Sequence, residues 1–141
     1  MDKIYQLFKG NSPIVATAIH DGHKLHPEVA AIMQLSEIER LREEDPFTGD
    51  WTQIAENRLI GTHSRFEVDL NRPREKAVYI HPEDAWGLQV WKGILSRQVI
   101  DTSLAYYDSF YSEAHQVFSD LEKQFGKFVV FDLHTYNHRR E

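Results

Sequence analysis

The stretch PIVATAI, Pro13 to Ile19, decides how the rest of the chain is read. It is a short run of β-branched residues and alanine, with a proline at its entry and Asp21-Gly22 just beyond it, which predicts a buried strand. His20, Asp21, Gly22 and His23 then fall at that strand's C-terminal end. A second run, KFVVFDL at Lys127 to Leu133, predicts another buried strand and ends at His134. Between them lies an amphipathic helix from about Thr102 to Phe125. Its Leu104, Tyr107, Tyr111, Ala114, Phe118, Leu121 and Phe125 recur at three- and four-residue steps, and Gly126 supplies the stop. Alternation of helix and strand predicts an α/β domain in which a mixed, partly parallel sheet is flanked by helices.

Working outward, His26-Pro27 opens a helical stretch with Val29, Ile32 and Met33 on one face, proline being suited to a first turn. Ser36 with Glu39 matches a capping box for a second short helix through Ile38 and Leu41. Asp45 to Trp51, DPFTGDW, predicts an ordered loop. Asn57 to His63 and Arg65 to Leu70 read as two short strands, the second ended by Asn71-Arg72-Pro73-Arg74. Pro82 opens a short helix carrying Trp86 and Trp91.

Length and composition narrow the function. A chain of 141 residues, 41% hydrophobic and 27% charged, suits one globular domain over 1–141 with its own core. The net charge of −6 gives no support for binding nucleic acid through phosphates. There is no cysteine, so disulfides, thiolate ligands and a cysteine nucleophile are excluded, and any metal site must use His, Asp and Glu. No run approaches the roughly 18 apolar residues of a membrane span. The expectation is a cytoplasmic protein without a membrane or nucleic-acid partner.

Ligands bind outside the carboxyl ends of strands in open α/β sheets. His20 and His134 both fall there, together with Asp21, His23, Asp132 and the Tyr136–Arg140 segment. A catalytic zinc takes three protein ligands and keeps one position open. His20, His134 and one carboxylate would meet that need, with His23, Glu44, Asp45 and Asp50 as alternatives for the third place. His26, His63, His81 and His115 read as surface or turn residues, and His138 as a neighbour of the site. If Arg65 to Leu70 is a strand, Arg65, Glu67 and Asp69 share one face. With Asn71 and Arg72 that face could bind a carboxylate, since guanidinium offers a planar two-pronged donor.

Four segments together resemble the N-formylglutamate amidohydrolase family: IHDGH at Ile19 to His23, EEDPFTGDW at Glu43 to Trp51, SRFEVDLNRPREKAVY at Ser64 to Tyr79 and FDLHTYNHRR at Phe131 to Arg140. The chain is also similar to the wider zinc carboxypeptidase and aspartoacylase group. That resemblance implies a zinc-carboxypeptidase-like architecture, zinc as cofactor, His20 and His134 as ligands, and Asp69, Asn71 and Arg72 on the substrate wall, with Arg65 beside them. The aspartoacylase pattern has glutamate three residues after the first histidine, a place held here by His23. Family members are longer, and related hydrolases take their general base from a later glutamate, so the base is unassigned and 1–141 could be the N-terminal portion of a longer hydrolase domain. The implied activity is zinc-dependent hydrolysis of an N-acyl amino acid such as N-formylglutamate. The alternatives are a non-catalytic metal- or carboxylate-binding module and a structural interaction domain. An open sheet edge would favour a homo-oligomer.

Overall fold

The structure is a computed structural model and describes residues 2–139; Arg140, part of the polar segment after His134, lies outside them. Its sheet has four strands: β1 (Tyr5–Phe8), β2 (Ile14–Ala18), β3 (Asn57–Gly61) and β4 (Val129–Asp132), in the order β1-β3-β2-β4. β3 and β4 flank β2 in parallel, whereas β1, which the sequence pattern does not reveal, runs antiparallel to β3. Val15 to Ala18 are buried, as expected of a central strand covered on both faces. Because the three parallel strands share one direction, the residues after Ala18, Gly61 and Asp132 emerge at one edge of the sheet.

The β2–β3 crossover carries α1 (Pro27–Ile32), α2 (Glu37–Leu41) and α3 (Thr48–Trp51). Ser36 caps α2 with the expected box, its side chain accepting from the Glu39 amide and Glu39 reaching back. Asp45 to Trp51 is more ordered than a loop, because Thr48 donates to the Asp45 carbonyl and starts the turn of α3. Gly22 is forced by close approach: a Cβ there would sit 2.4 Å from the backbone N and O of His63. The chain leaving β2 thus passes directly against the chain leaving β3.

The long helix α4 (Arg97–Phe125) begins earlier than expected, where the Ser96 hydroxyl accepts from the Val99 amide, and it stops at Gly126 with φ 77°. Its buried stripe is Ser103, Tyr106, Phe110, Ala114, Val117 and Leu121. That is rotated from the predicted one, because Tyr107 and Tyr111 turn their hydroxyls to the carbonyls of Arg72 and Leu70. Tyr106, Phe110 and Ala114 pack on Tyr5, Ile19 and Leu59, while Val117 and Leu121 cover Val15.

Three further expectations are corrected. Residues 65–70 are not a strand: Ser64 accepts from the Phe66 amide through its hydroxyl and from the Glu67 amide through its carbonyl, winding the segment into a turn. Phe66, Val68 and Leu70 are buried as the alternation implied, but Glu67 and Asp69 are buried too. Trp86 and Trp91 do not share a helix, since the 3-10 turn Pro82–Ala85 ends at Trp86 with φ 54° and Trp91 bridges to Met33. Finally, β4 is exposed, with Val129 at 52% and Phe131 at 48%. It pairs only with β2 at the edge of the described sheet, so an apolar run alone did not guarantee burial.

Candidate metal centre

His20 comes directly after β2 and is buried. Its Nε2 lies 2.7 Å from Oδ1 of Asp69, which fixes the ring and turns Nδ1 toward Oδ2 of Asp45, 3.6 Å away. The Asp45 backbone is delivered to the same place by its amide, which donates to the His20 carbonyl at 2.8 Å. From the other parallel strand, His134 brings Nδ1 to 3.0 Å from the same Asp45 oxygen, and Thr135 donates to the second oxygen at 3.1 Å. The His134 Nε2 is held 2.9 Å from Asp132, whose other oxygen accepts from Thr17 at 2.6 Å. Thr17 and Asp132 are register partners across β2 and β4, so strand pairing itself places His134. Donor atoms of His20, Asp45 and His134 all fall within 4.8 Å of one another.

The electrostatics derive from these contacts. Burial alone would raise the Asp45 carboxyl, but hydrogen bonding with His134 and His20 outweighs it and holds the group well below its ordinary range. Hydrogen bonds to Asp132 and then Asp45 push the His134 imidazole up to about 9. Asp69 is likewise drawn down against burial by His20 and Arg65. Tyr79 is raised by burial and by the Asp69 charge, which keeps its hydroxyl a donor to Asp69. Two imidazoles and a carboxylate, each second ring nitrogen occupied by another carboxylate, form the donor set and outer support that a zinc-type ion requires.

A family model described as N-formylglutamate amidohydrolase matches residues 12–141. The chain belongs to the N-formylglutamate amidohydrolase family. The fold is also similar to the crystal structure of N-formylglutamate amidohydrolase from Ralstonia eutropha JMP134, with a TM-score of 0.75 at 13% identity. That similarity covers 93% of this chain and 57% of the other, so the chain spans little more than half the length of that relative. A search of the curated proteins finds no match.

In this member of the N-formylglutamate amidohydrolase family, the other sequence-derived residues divide by burial. Of the alternatives for a third donor, only Asp45 joins His20 and His134. His23 pairs instead with Glu44 at 2.5 Å, and Glu44 also accepts from Arg40 at 3.1 Å and from Ser64. Asp50 lies on the exposed side of α3. Asp69, expected on the substrate wall, is fully buried beneath His20. Arg65 is committed as well, donating to Tyr79 at 3.0 Å, to the Glu43 carbonyl at 2.9 Å and to Asp69 at 3.0 Å while lying over the Trp86 ring. Arg72 and Asn71 stay near the surface, with Arg72 over the Tyr79 ring.

Two features are not evident from sequence. Tyr79 buttresses Asp69, a role signalled only by the apolar Ala77-Val78 run before it, which marks the segment as buried. His26 is buried rather than superficial and His63 is half-buried, because the tight Gly22 crossing draws their segments together.

Proposed function

We propose that the chain is a zinc-dependent amidohydrolase that cleaves an N-acyl amino acid such as N-formylglutamate to the acid and the free amino acid. The observation that carries this reading is the convergence of His20, Asp45 and His134, two of them fixed from behind by Asp69 and Asp132. These three residues would hold the ion. Zinc in such a setting supplies Lewis acidity to an acyl carbonyl and makes water a usable nucleophile near neutral pH.

The chain's own residues orient these donors. Asp69 orients His20, Thr17 and Asp132 orient His134, and Thr135 fixes the Asp45 carboxylate. A cleft of about 500 Å³ is lined by Glu39, Arg42, Glu43, Trp86, Leu88, Asn137 and Arg139. Two of its residues, Asn137 and Glu43, are joined by a hydrogen bond of 3.1 Å and lie close in sequence to His134 and Asp45. Two arginines beside an aromatic wall suit a substrate with an apolar stem and a carboxylate. Arg72 already pairs through Nε with Asp69 at 3.6 Å and Arg65 spends its donors on Tyr79, Glu43 and Asp69, which leaves the exposed Asn71 side chain and the outer guanidinium nitrogens of Arg72 to meet a second carboxylate.

The test is zinc content by elemental analysis of the purified chain, with formate or acetate release from N-acyl amino acids assayed in the same preparation. One zinc lost together with activity in His134→Ala would support the reading. Zinc without hydrolysis would favour the non-catalytic binding module, and no zinc would overturn the assignment.

A further inference from the structure

A second group of donors stands at the same sheet edge. His26 precedes α1, His63 comes after β3, and Glu67 lies in the turn after Ser64; donor atoms of the three fall within 4.8 Å of one another. None of them takes part in the centre described above. The two sets of residues are separate.

The chemistry of this cluster is specific. Glu67 is almost fully buried, and both its oxygens face His26, one accepting from the backbone amide at 3.0 Å and the other 2.5 Å from Nδ1. Burial raises the Glu67 carboxyl, and His26 is the contact that opposes the rise. Burying a carboxylate is costly unless it has a cationic or hydrogen-bonding partner. His63, half-buried and stacked on His26, supplies a third donor. Its Nδ1 is 3.1 Å from the Thr62 hydroxyl, which leaves the other ring nitrogen for a ligand.

We infer that His26, His63 and Glu67 form a second cation site, one that takes a zinc-type divalent transition ion in place of the hydrogen bond between His26 and Glu67. Two imidazole nitrogens with one carboxylate favour zinc and its neighbours over calcium or magnesium, which prefer oxygen donors. Room for further ligands exists beside it: a cavity of about 250 Å³ is lined by Glu28, Glu67, Ser103 and Tyr106. In the arrangement seen, His26 is sandwiched between His63 and Tyr106 with ring centroids 4.3 and 4.4 Å apart. Stacked rings do not direct their in-plane lone pairs to one point, so binding turns His63 out of the stack while Tyr106 keeps His26 in place. Occupancy would tie the loops leaving β2 and β3 to α4.

The experiment is equilibrium zinc binding by the chelator-stripped chain, measured by calorimetry and by elemental analysis after desalting. Wild type should bind one equivalent beyond the His20–Asp45–His134 centre, with affinity falling as pH drops, because the proton and the metal compete for the same donors. His63→Ala and the milder His63→Gln should each lose that equivalent and keep the other, whereas His134→Ala should keep it. Imidazole NMR signals of His63 should shift on its occupation. If the number of bound ions is the same in wild type and both His63 variants, the inference fails. A wild type that binds a single zinc, lost in both His63 variants and kept in His134→Ala, would instead sink the proposed hydrolase while leaving this site standing.

Discussion

Two clusters of histidine, histidine and carboxylate sit at the same edge of the sheet, and they are built differently. Around Asp45 the imidazoles of His20 and His134 meet edge to face, centroids 5.2 Å apart and planes at 69°, with the carboxylate shared between them. Around Glu67 the rings of His26 and His63 are stacked at 23°, and the carboxylate belongs to one of them. Lone pairs lie in the plane of an imidazole, so edge-to-face rings can aim at a common point and parallel rings cannot. The first cluster is held open by carboxylate partners on its far side, Asp69 buried and Asp132 exposed; the second must move to bind. Preorganisation, not residue type, separates them.

The comparison can be broken most severely at its shared carboxylate. Asp45→Asn should remove the zinc equivalent of the His20–Asp45–His134 centre and reduce hydrolysis to background, read by elemental analysis and product release; retention of both would show that Asp45 is no ligand. Next is Asp69→Asn, which frees the far side of His20. Loss of such an outer partner weakens metal affinity about 10–100-fold, and a chromophoric chelator competition would report it. The same change leaves Arg65 and Tyr79 short of a buried acceptor, so the melting temperature should fall as well. Gly22→Ala acts on both clusters at once, because its Cβ would collide with the His63 backbone. A forced backbone shift of this kind costs about 1–3 kcal/mol, measurable as a lower urea midpoint with unchanged slope.

The smallest effect concerns pH. His63 is held down to about 4 in the folded chain, below the roughly 6.5 of an exposed imidazole. Between those values the unfolded chain takes up a proton that the folded chain refuses, so its contribution to stability is complete above about pH 6.5 and declines as pH falls toward 4. Melting curves of the zinc-free protein across that window should be flatter for His63→Gln than for wild type. Equal slopes would place His63 in a more exposed setting.

How much of this is legible in residues alone depends on whether the signal is local. The C-terminal ends of β2 and β4 are marked by apolar runs that stop at a histidine, which is why His20 and His134 are identifiable. The α2 cap is legible because Ser36 and Glu39 contact each other within one turn. Residues 65–70 mislead because alternation of apolar residues reports burial on two sides, and a turn wound by Ser64 produces the same record as a strand. Asp69 looks like a wall residue for the same reason. The choice of Asp45 over Glu44 and Asp50 needs the backbone bond from Asp45 to His20, and the second cluster needs the crossing at Gly22. Both are contacts between segments far apart in sequence, which no periodicity encodes.

β4 is short, pairs with β2 alone among the described residues and buries little apolar surface. The segment beyond it is fastened by polar contacts: Leu133 to Thr17, His134 and Thr135 to Asp45, and Asn137 to Glu43. The loop entropy of bringing Asp45 and His134 together across most of the chain is therefore offset chiefly at the centre itself. A segment held in this way should be among the last to form in folding and the first to open, with amide hydrogens at residues 129–137 exchanging ahead of those in β2 and β3. Ions that clamp His134 to Asp45 would slow that exchange selectively, so the strand that completes the site would also report its occupancy.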